Sequence, residues 1–319
     1  MIYARSYDKY NTSVKKVKSV FLAFFNYFLS PKEVIMELSI CANYLQKTEL
    51  TDKSAFNMFR LCRNAGFTVV DYTPSGETWE RQVLSLNRAS DAMYLPIEQS
   101  HAPFNRYKKL PLDDYKVLLD RAFEAAIRMH NKQIVVHGDD YRIPAGEEYD
   151  ADRALCEMYE LWAPYVEKAT ANGLGVAFET VFEDDRAPGV KNRFTSRLDE
   201  LIGLIDRFDH PLVTCCWDSG HARLAFHRDG MPDAMRALGR RITCTHIHDN
   251  YYNKDLHVMP FCGDIDWKTH MATLREIGYT GNLTFEFVYG RLPEIMVEDF
   301  LATTVKTGRI LQEMFRNAE

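Results

Sequence analysis

The chain has 319 residues, and 39 Lys plus Arg against 45 Asp plus Glu (39 − 45) give a net charge of −6. Hydrophobic residues at 46% and charged residues at 26% are ordinary globular values, which exclude a disordered, collagenous or low-complexity chain. The acidic balance speaks against a nucleic-acid partner, which needs a basic face.

Residues 1–35 differ from the rest of the chain. Lys15, Lys16 and Lys18 precede the apolar run Val20 to Phe25, which continues through Asn26 to Leu29. That run is too short to cross a bilayer, so no transmembrane segment is expected. It also starts late for a secretory signal and lacks a small-x-small cleavage site. We read 1–35 as an N-terminal extension and 36–319 as the folded domain.

From Met36 onward, apolar β-rich runs alternate with helical patterns. The runs are Leu38–Ala42, Phe67–Tyr72, Leu95–Ser100, Gln133–His137, Leu174–Glu179, Leu212–Trp217, Ile242–His248 and Leu283–Phe287. Several are almost wholly hydrophobic, as strands buried on both faces are. Between them, Tyr115, Leu119, Ala122, Ala126 and Met129 form one helical stripe. Leu198, Leu201, Ile202 and Ile205 form another, opened by a capping-box-like Ser196-x-x-Asp199. Asp266 is placed to cap a helix from Trp267 to Ile277, with Gly278 ending it, and Gly66 closes the first helix. Eight strands with helices between them predict an α/β fold, a (β/α)8 TIM barrel forming one domain; a doubly wound open sheet is the alternative. No G-x-G-x-x-G or Walker-type glycine loop follows a strand, so nucleotide phosphates have no visible cradle. The loop Val181–Phe194 is long enough to be a lid.

The seven cysteines include no C-x-x-C pair. Disulfide frameworks and zinc ribbons are therefore not expected, and a reducing cytoplasm is.

A barrel works at the carboxyl ends of its strands. The third expected strand leads into His101, the fourth ends at His137 and the fifth at Glu179. The sixth runs into Asp218-Ser-Gly-His221, the seventh into His246-Ile-His-Asp249, and the eighth carries Glu286. Buried charges are costly unless paired or bound to a cation. Glu179, Asp218, His246 and Glu286 offer three carboxylates and one imidazole. That set suits one divalent ion, Mn2+ first, with Mg2+, Co2+ or Zn2+ as alternatives.

Several segments carry a resemblance that covers most of the chain from Met36 onward. They are His101-Ala-Pro-Phe, Val-Val-His137-Gly, Phe-Glu179, Asp218-Ser-Gly-His221-Ala, Thr-His246-Ile-His-Asp249, Asp255-Leu-His257 and Gly263-Asp-Ile-Asp266-Trp267. Together they resemble the xylose-isomerase-like TIM barrel superfamily, which holds sugar isomerases and epimerases together with apurinic-site endonucleases. By position, the resemblance makes Glu179, Asp218, His246 and Glu286 a single metal site. It makes His221 a residue that hydrogen-bonds substrate, and Asp249 a support for the His246 loop. His101, His137 and His257 then line a sugar pocket, with Phe261, Tyr251 and Tyr252 as its apolar wall. Two departures stand out. Pro260-Phe261-Cys262-Gly263 replaces the usual Pro-Gly-Glu-Gly, and no arginine follows the seventh strand in Asp249-Asn-Tyr-Tyr-Asn-Lys254.

The activity this implies is isomerisation or epimerisation of a small sugar or polyol through an enediolate. Glu179 and Glu286 would serve as the acid–base pair on opposite sides of the reacting carbon. A lyase, a dehydratase, a carbon-glycoside-cleaving subunit, or a multi-zinc apurinic-site endonuclease are the alternative readings of the same residues. The partner expected is a sugar, with association of identical chains through outer helices an open option.

Overall fold

The computed structural model describes residues 36–46, 49–105, 110–138, 147–183, 193–287, 289 and 292–318. The extension expected over 1–35 lies outside them, as does the centre of the long loop, 184–192.

Each of the eight apolar runs overlaps a strand, with the third and sixth strands each ending one residue past the expected run. In chain order these are β1 (Leu38–Ile40), β2 (Val70–Asp71), β3 (Ile97–His101), β4 (Gln133–Val136), β5 (Gly175–Glu179), β6 (Val213–Asp218), β7 (Ile242–His246) and, after an unforeseen hairpin of β8 (Asp249–Tyr251) with β9 (Lys254–Val258), β10 (Leu283–Phe285). The strands β2 to β7 pair in sequence order, all parallel, and β1 pairs parallel with β10. Parallel bridges Cys41–Asp71 and Ile247–Phe285 join that pair to the two edges of the six-stranded sheet. The Ile247 amide also donates to the Thr284 carbonyl at 2.7 Å. The strands thus close a cylinder whose carboxyl ends share one rim.

The helices are α1 (Asp52–Ala65), α2 (Trp79–Met93), α3 (Leu112–Arg128), α4 (Ala151–Ala171), α5 (Leu198–Arg207), α6 (Ser219–Leu238), α7 (Trp267–Glu276) and α8 (Glu294–Arg316). Their apolar stripes face the barrel; Tyr115, Leu119, Ala122 and Ala126 of α3 are all buried. Local chemistry sets the ends. Thr51 and Ser54 cap α1 reciprocally, and Gly66 leaves it with φ +108°, a conformation only glycine adopts without strain. The Asp266 carboxylate accepts the Thr269 amide at 3.2 Å and starts α7. The box expected at Ser196 does not form. Arg197 is the N-terminal cap of α5, without a side-chain bond, and the Ser196 hydroxyl donates to Glu183 at 2.8 Å instead. The hairpin went unforeseen because Tyr252 and Asn253 both take positive φ, 55° and 51°, in its two-residue turn. Asn suits that conformation, but Tyr gives no sign of it. Among the described residues no helix is long and apolar enough to cross a membrane. All seven cysteines are free thiols.

One core residue carries a pH dependence. His270 on α7 is 3% exposed, and neither ring nitrogen has a hydrogen-bond partner. It packs between Trp267 and Trp217, with ring centroids 5.1 and 6.2 Å away. Burial, opposed only by Asp266, pushes its pKa down from 6.5 to about 4. The unfolded chain therefore binds an extra proton between those values, and stability falls as pH drops through that window. At pH 5 the loss is about 2 kcal/mol. Urea unfolding at pH 7 and pH 5 is expected to show that much less acid sensitivity in His270→Leu than in the parent. Identical pH slopes would show that His270 is not the source of the acid sensitivity.

Candidate active site

Strand ends bring the ionisable side chains to the carboxyl rim. Glu179 closes β5 and Asp218 closes β6, where Asp218 doubles as the cap of α6 and accepts the His221 amide at 2.6 Å. His246 closes β7, and Glu286 follows β10 directly. His101 ends β3, His137 follows β4, and Asp255 and His257 lie on β9. All of them except Asp218 and His246 line a single cavity of about 1010 Å³, together with Tyr44, Phe104, Arg197 and Lys254.

Glu179 is the hub. Its Oε2 faces His137 Nε2 at 2.7 Å and His101 Nε2 at 3.0 Å. Its Oε1 faces His246 Nδ1 at 2.7 Å and His221 Nδ1 at 3.5 Å. Burial pushes this carboxyl up, but His246 and the other imidazoles outweigh burial and hold it well below the usual carboxylate range. Glu286 is held more loosely, with His246 Nδ1 at 3.6 Å and His257 Nδ1 at 3.7 Å. Its pKa is also lowered: burial opposes, and His246 and His257 prevail. For His246 the order is reversed. Burial disfavours its charge, but Glu286 and Glu179 raise it well above 6.5. His257 is raised to about 9, with Asp255 the chief partner against burial.

Glu179, Asp218, His246 and Glu286 can each offer a donor atom within 4.8 Å of the others, as can His101, His137 and Glu179, and His221, His248, Asp255 and His257. The four-residue set fits a divalent cation on its own chemistry. Three carboxylates converge, with Glu179 and Asp218 at 1% and 0% exposure, and like charges buried together are costly without a cation. Oxygen donors with one imidazole favour a hard or borderline ion.

Every residue expected at the site from sequence is brought to it except three aromatics. Phe261 is exposed and lies edge-on to Trp267, with ring centroids 6.3 Å apart; it does not line the cavity. Tyr251 and Tyr252 pack on each other at 5.0 Å, on the exposed hairpin. Asp249 does not touch His246. Its carboxylate accepts from the amides of Asn250, Phe261 and Ile265 and from the Trp267 indole at 2.8 Å, so it ties the whole 249–267 segment together. Gly263 permits this, because a Cβ there would lie 2.1 Å from Asp249 Oδ1.

Sequence reasoning missed two buried residues. His248 sits two places after His246, on the same face of an extended segment, and its Nε2 is 2.9 Å from Asp218 Oδ1. Its ring stacks on His257 at 3.9 Å, and a Cβ on Gly220 would strike it at 1.9 Å, which accounts for glycine in Asp218-Ser-Gly-His221. The other is Asp71, a carboxylate closing β2 by the same strand-end rule.

A sequence model of the xylose isomerase-like TIM barrel matches residues 59–303. An uncharacterised protein of Sinorhizobium fredii is 36% identical over 97 residues, 30% of this chain and 30% of that protein. An uncharacterised protein of Methanocaldococcus jannaschii is 24% identical over 204 residues, 58% of this chain and 62% of that one. The matched stretches thus span less than two thirds of either relative's own length. Among solved structures, a D-tagatose 3-epimerase-like protein has a TM-score of 0.66 at 20% identity, covering 88% of this chain and 97% of that one. The D-psicose 3-epimerase of Clostridium cellulolyticum H10, solved with D-tagatose, has a TM-score of 0.66 at 14% identity, covering 87% and 99%. At such identities the likeness is one of fold.

Proposed function

The chain belongs to the xylose isomerase-like TIM barrel family, and on that premise we propose that it is a divalent-metal-dependent isomerase or epimerase of a small sugar or polyol. The observation that carries this reading is the pair of carboxylates Glu179 and Glu286 in one cavity, beside a cluster able to hold a cation. The epimerase names of the two structural neighbours point the same way.

Glu179, Asp218, His246 and Glu286 would hold the ion, with Mn2+ the first choice. When bound, such an ion polarises a carbonyl and stabilises negative charge on its oxygen. The protein's own groups do the rest. Glu286, the less tightly engaged carboxylate, takes the proton beside the carbonyl. Glu179 stands as its partner for return of a proton, to the same carbon for epimerisation or to the neighbouring one for isomerisation. His221, His101, His137 and His257 orient the hydroxyls. Residues 36–319 form the barrel domain and 1–35 an extension outside it. Free thiols throughout fit a reducing cytoplasm.

Metal analysis of the purified protein and uptake of solvent deuterium beside the carbonyl of ketoses test the proposal together. Stoichiometric metal with deuterium uptake is expected; a metal-free active chain, or loaded protein inert to every ketose, would sink it. One observation favours a second reading. The ligand groups around His101 and His137, and around His221, Asp255 and His257, adjoin the first and share or border Glu179, as a multi-metal phosphodiesterase centre requires. Cleavage of abasic duplex DNA by protein holding three ions per chain would establish that reading instead.

A further inference from the structure

We propose that Asp71 is a positioning residue that fixes the imidazole of His246 for cation binding. The proposal rests on the reading of His246 as a metal ligand. Asp71 is 1% exposed, and neither carboxylate oxygen has a hydrogen-bond partner. Among the described residues its only ion-pair neighbour is His246, whose Nε2 lies 3.9 Å from Oδ2.

A bare buried carboxylate is a cost to the fold, so its presence needs a reason. Its place supplies one. Asp71 ends β2 at the rim where the site is built, bridged to Cys41 on one side and in register with Gln99 on the other. His246 divides its two nitrogens between two kinds of partner. Nδ1 faces the ligand cluster, with Glu179 at 2.7 Å, Glu286 at 3.6 Å and Asp218 at 3.9 Å. Nε2 faces Asp71. An imidazole that gives one nitrogen to a metal commonly donates the N–H of the other to a carboxylate, which sets ring orientation and raises the basicity of the ligating nitrogen. His101 stacks on the same ring at 5.7 Å and 17°, so packing fixes the plane of the ring, and Asp71 stands at ion-pair distance, 3.9 Å, from the nitrogen that points away from the cluster.

The test uses the full-length protein with Asp71→Asn and Asp71→Leu. Mn2+ affinity, measured by chelator competition, is expected to fall about 10–100-fold in Asp71→Leu and less in Asp71→Asn, which keeps an acceptor oxygen. In 15N-histidine spectra of metal-free protein, the protected His246 Nε2–H, assigned with His246→Gln, is expected in the parent and absent in Asp71→Leu. That signal needs neither metal nor substrate. A parent that binds no ion would defeat the functional reading while the resonance still tests the pairing. Should Asp71→Leu fail to fold, Asp71→Asn carries both measurements. Unchanged Mn2+ affinity with an unchanged His246 resonance would overturn the proposal.

Discussion

Glu286→Gln is expected to slow exchange of the proton beside a ketose carbonyl by about 10²–10⁴-fold, the usual share of a positioned general base. That loss corresponds to about 3–5 kcal/mol in the barrier. The expectation follows from how differently the two glutamates are held. Both oxygens of Glu179 are engaged by imidazoles at 2.7–3.0 Å. Glu286 has its nearest imidazole nitrogens at 3.6 and 3.7 Å and a side chain 17% exposed to the cavity. A carboxylate already bonded on both oxygens is a poor proton acceptor, whereas Glu286 has lone pairs to spare. The Gln side chain has the same shape, and the bond between His257 Nδ1 and the Glu286 backbone carbonyl, 3.0 Å, is untouched. Folding by circular dichroism should match the parent. Exchange within about threefold of the parent would assign proton removal elsewhere, with Glu179 the next choice.

Much of this site was legible because barrels obey a positional rule. Apolar runs buried on both faces announce strands, and a His or an acid at the end of such a run has few reasons to be there. That logic located His101, His137, Glu179, Asp218, His246 and Glu286. It failed where the run did not look finished. Asp71 sits inside the apolar run Phe67–Tyr72, and the strand ends at Asp71, one residue before the run does, so the carboxylate did not stand at the apparent end. His248 was hidden for a different reason: it lies past the end of β7, held by the Ser219 hydroxyl and Asp218, and its other neighbour, His257, reaches it on a hairpin that no local pattern announced. Phe261 shows the opposite error. An aromatic residue near a pocket mouth suggests a wall, but its amide is held by Asp249 at 3.1 Å and its ring is spent on Trp267. Backbone tethers made by one buried carboxylate decided the direction of that side chain, and no local pattern encodes them.

Glu179→Gln should disturb the site more widely than Glu286→Gln, because four imidazoles face its carboxylate and only two face that of Glu286. His101, His137, His246 and His221 all use this one carboxylate, which is 1% exposed. Neutralising it leaves buried imidazoles without their counter-charge, and breaking a buried ion pair on one side typically costs about 3–5 kcal/mol. The variant is expected to lose stoichiometric metal, lose detectable exchange, and melt earlier than the parent when both are metal-free. The pH response gives the sharper test. Burial disfavours charge on His246, yet Glu286 and Glu179 raise its pKa well above 6.5; for His257, burial is outweighed by Asp255 and Glu286, giving about 9. A raised folded pKa contributes stability that is fully present below the unfolded value near 6.5 and lost as pH climbs through the folded one. Metal-free parent protein should therefore weaken between pH 6.5 and 9 and above. The variant should lose the part of the His246 share that Glu179 supplies, while the part supplied by Glu286 stays, as does the His257 share, whose main partner is Asp255 at 3.3 Å. A Glu179→Gln protein with the parent's melting temperature, metal content and alkaline profile would show that the carboxylate does not organise the cluster around it.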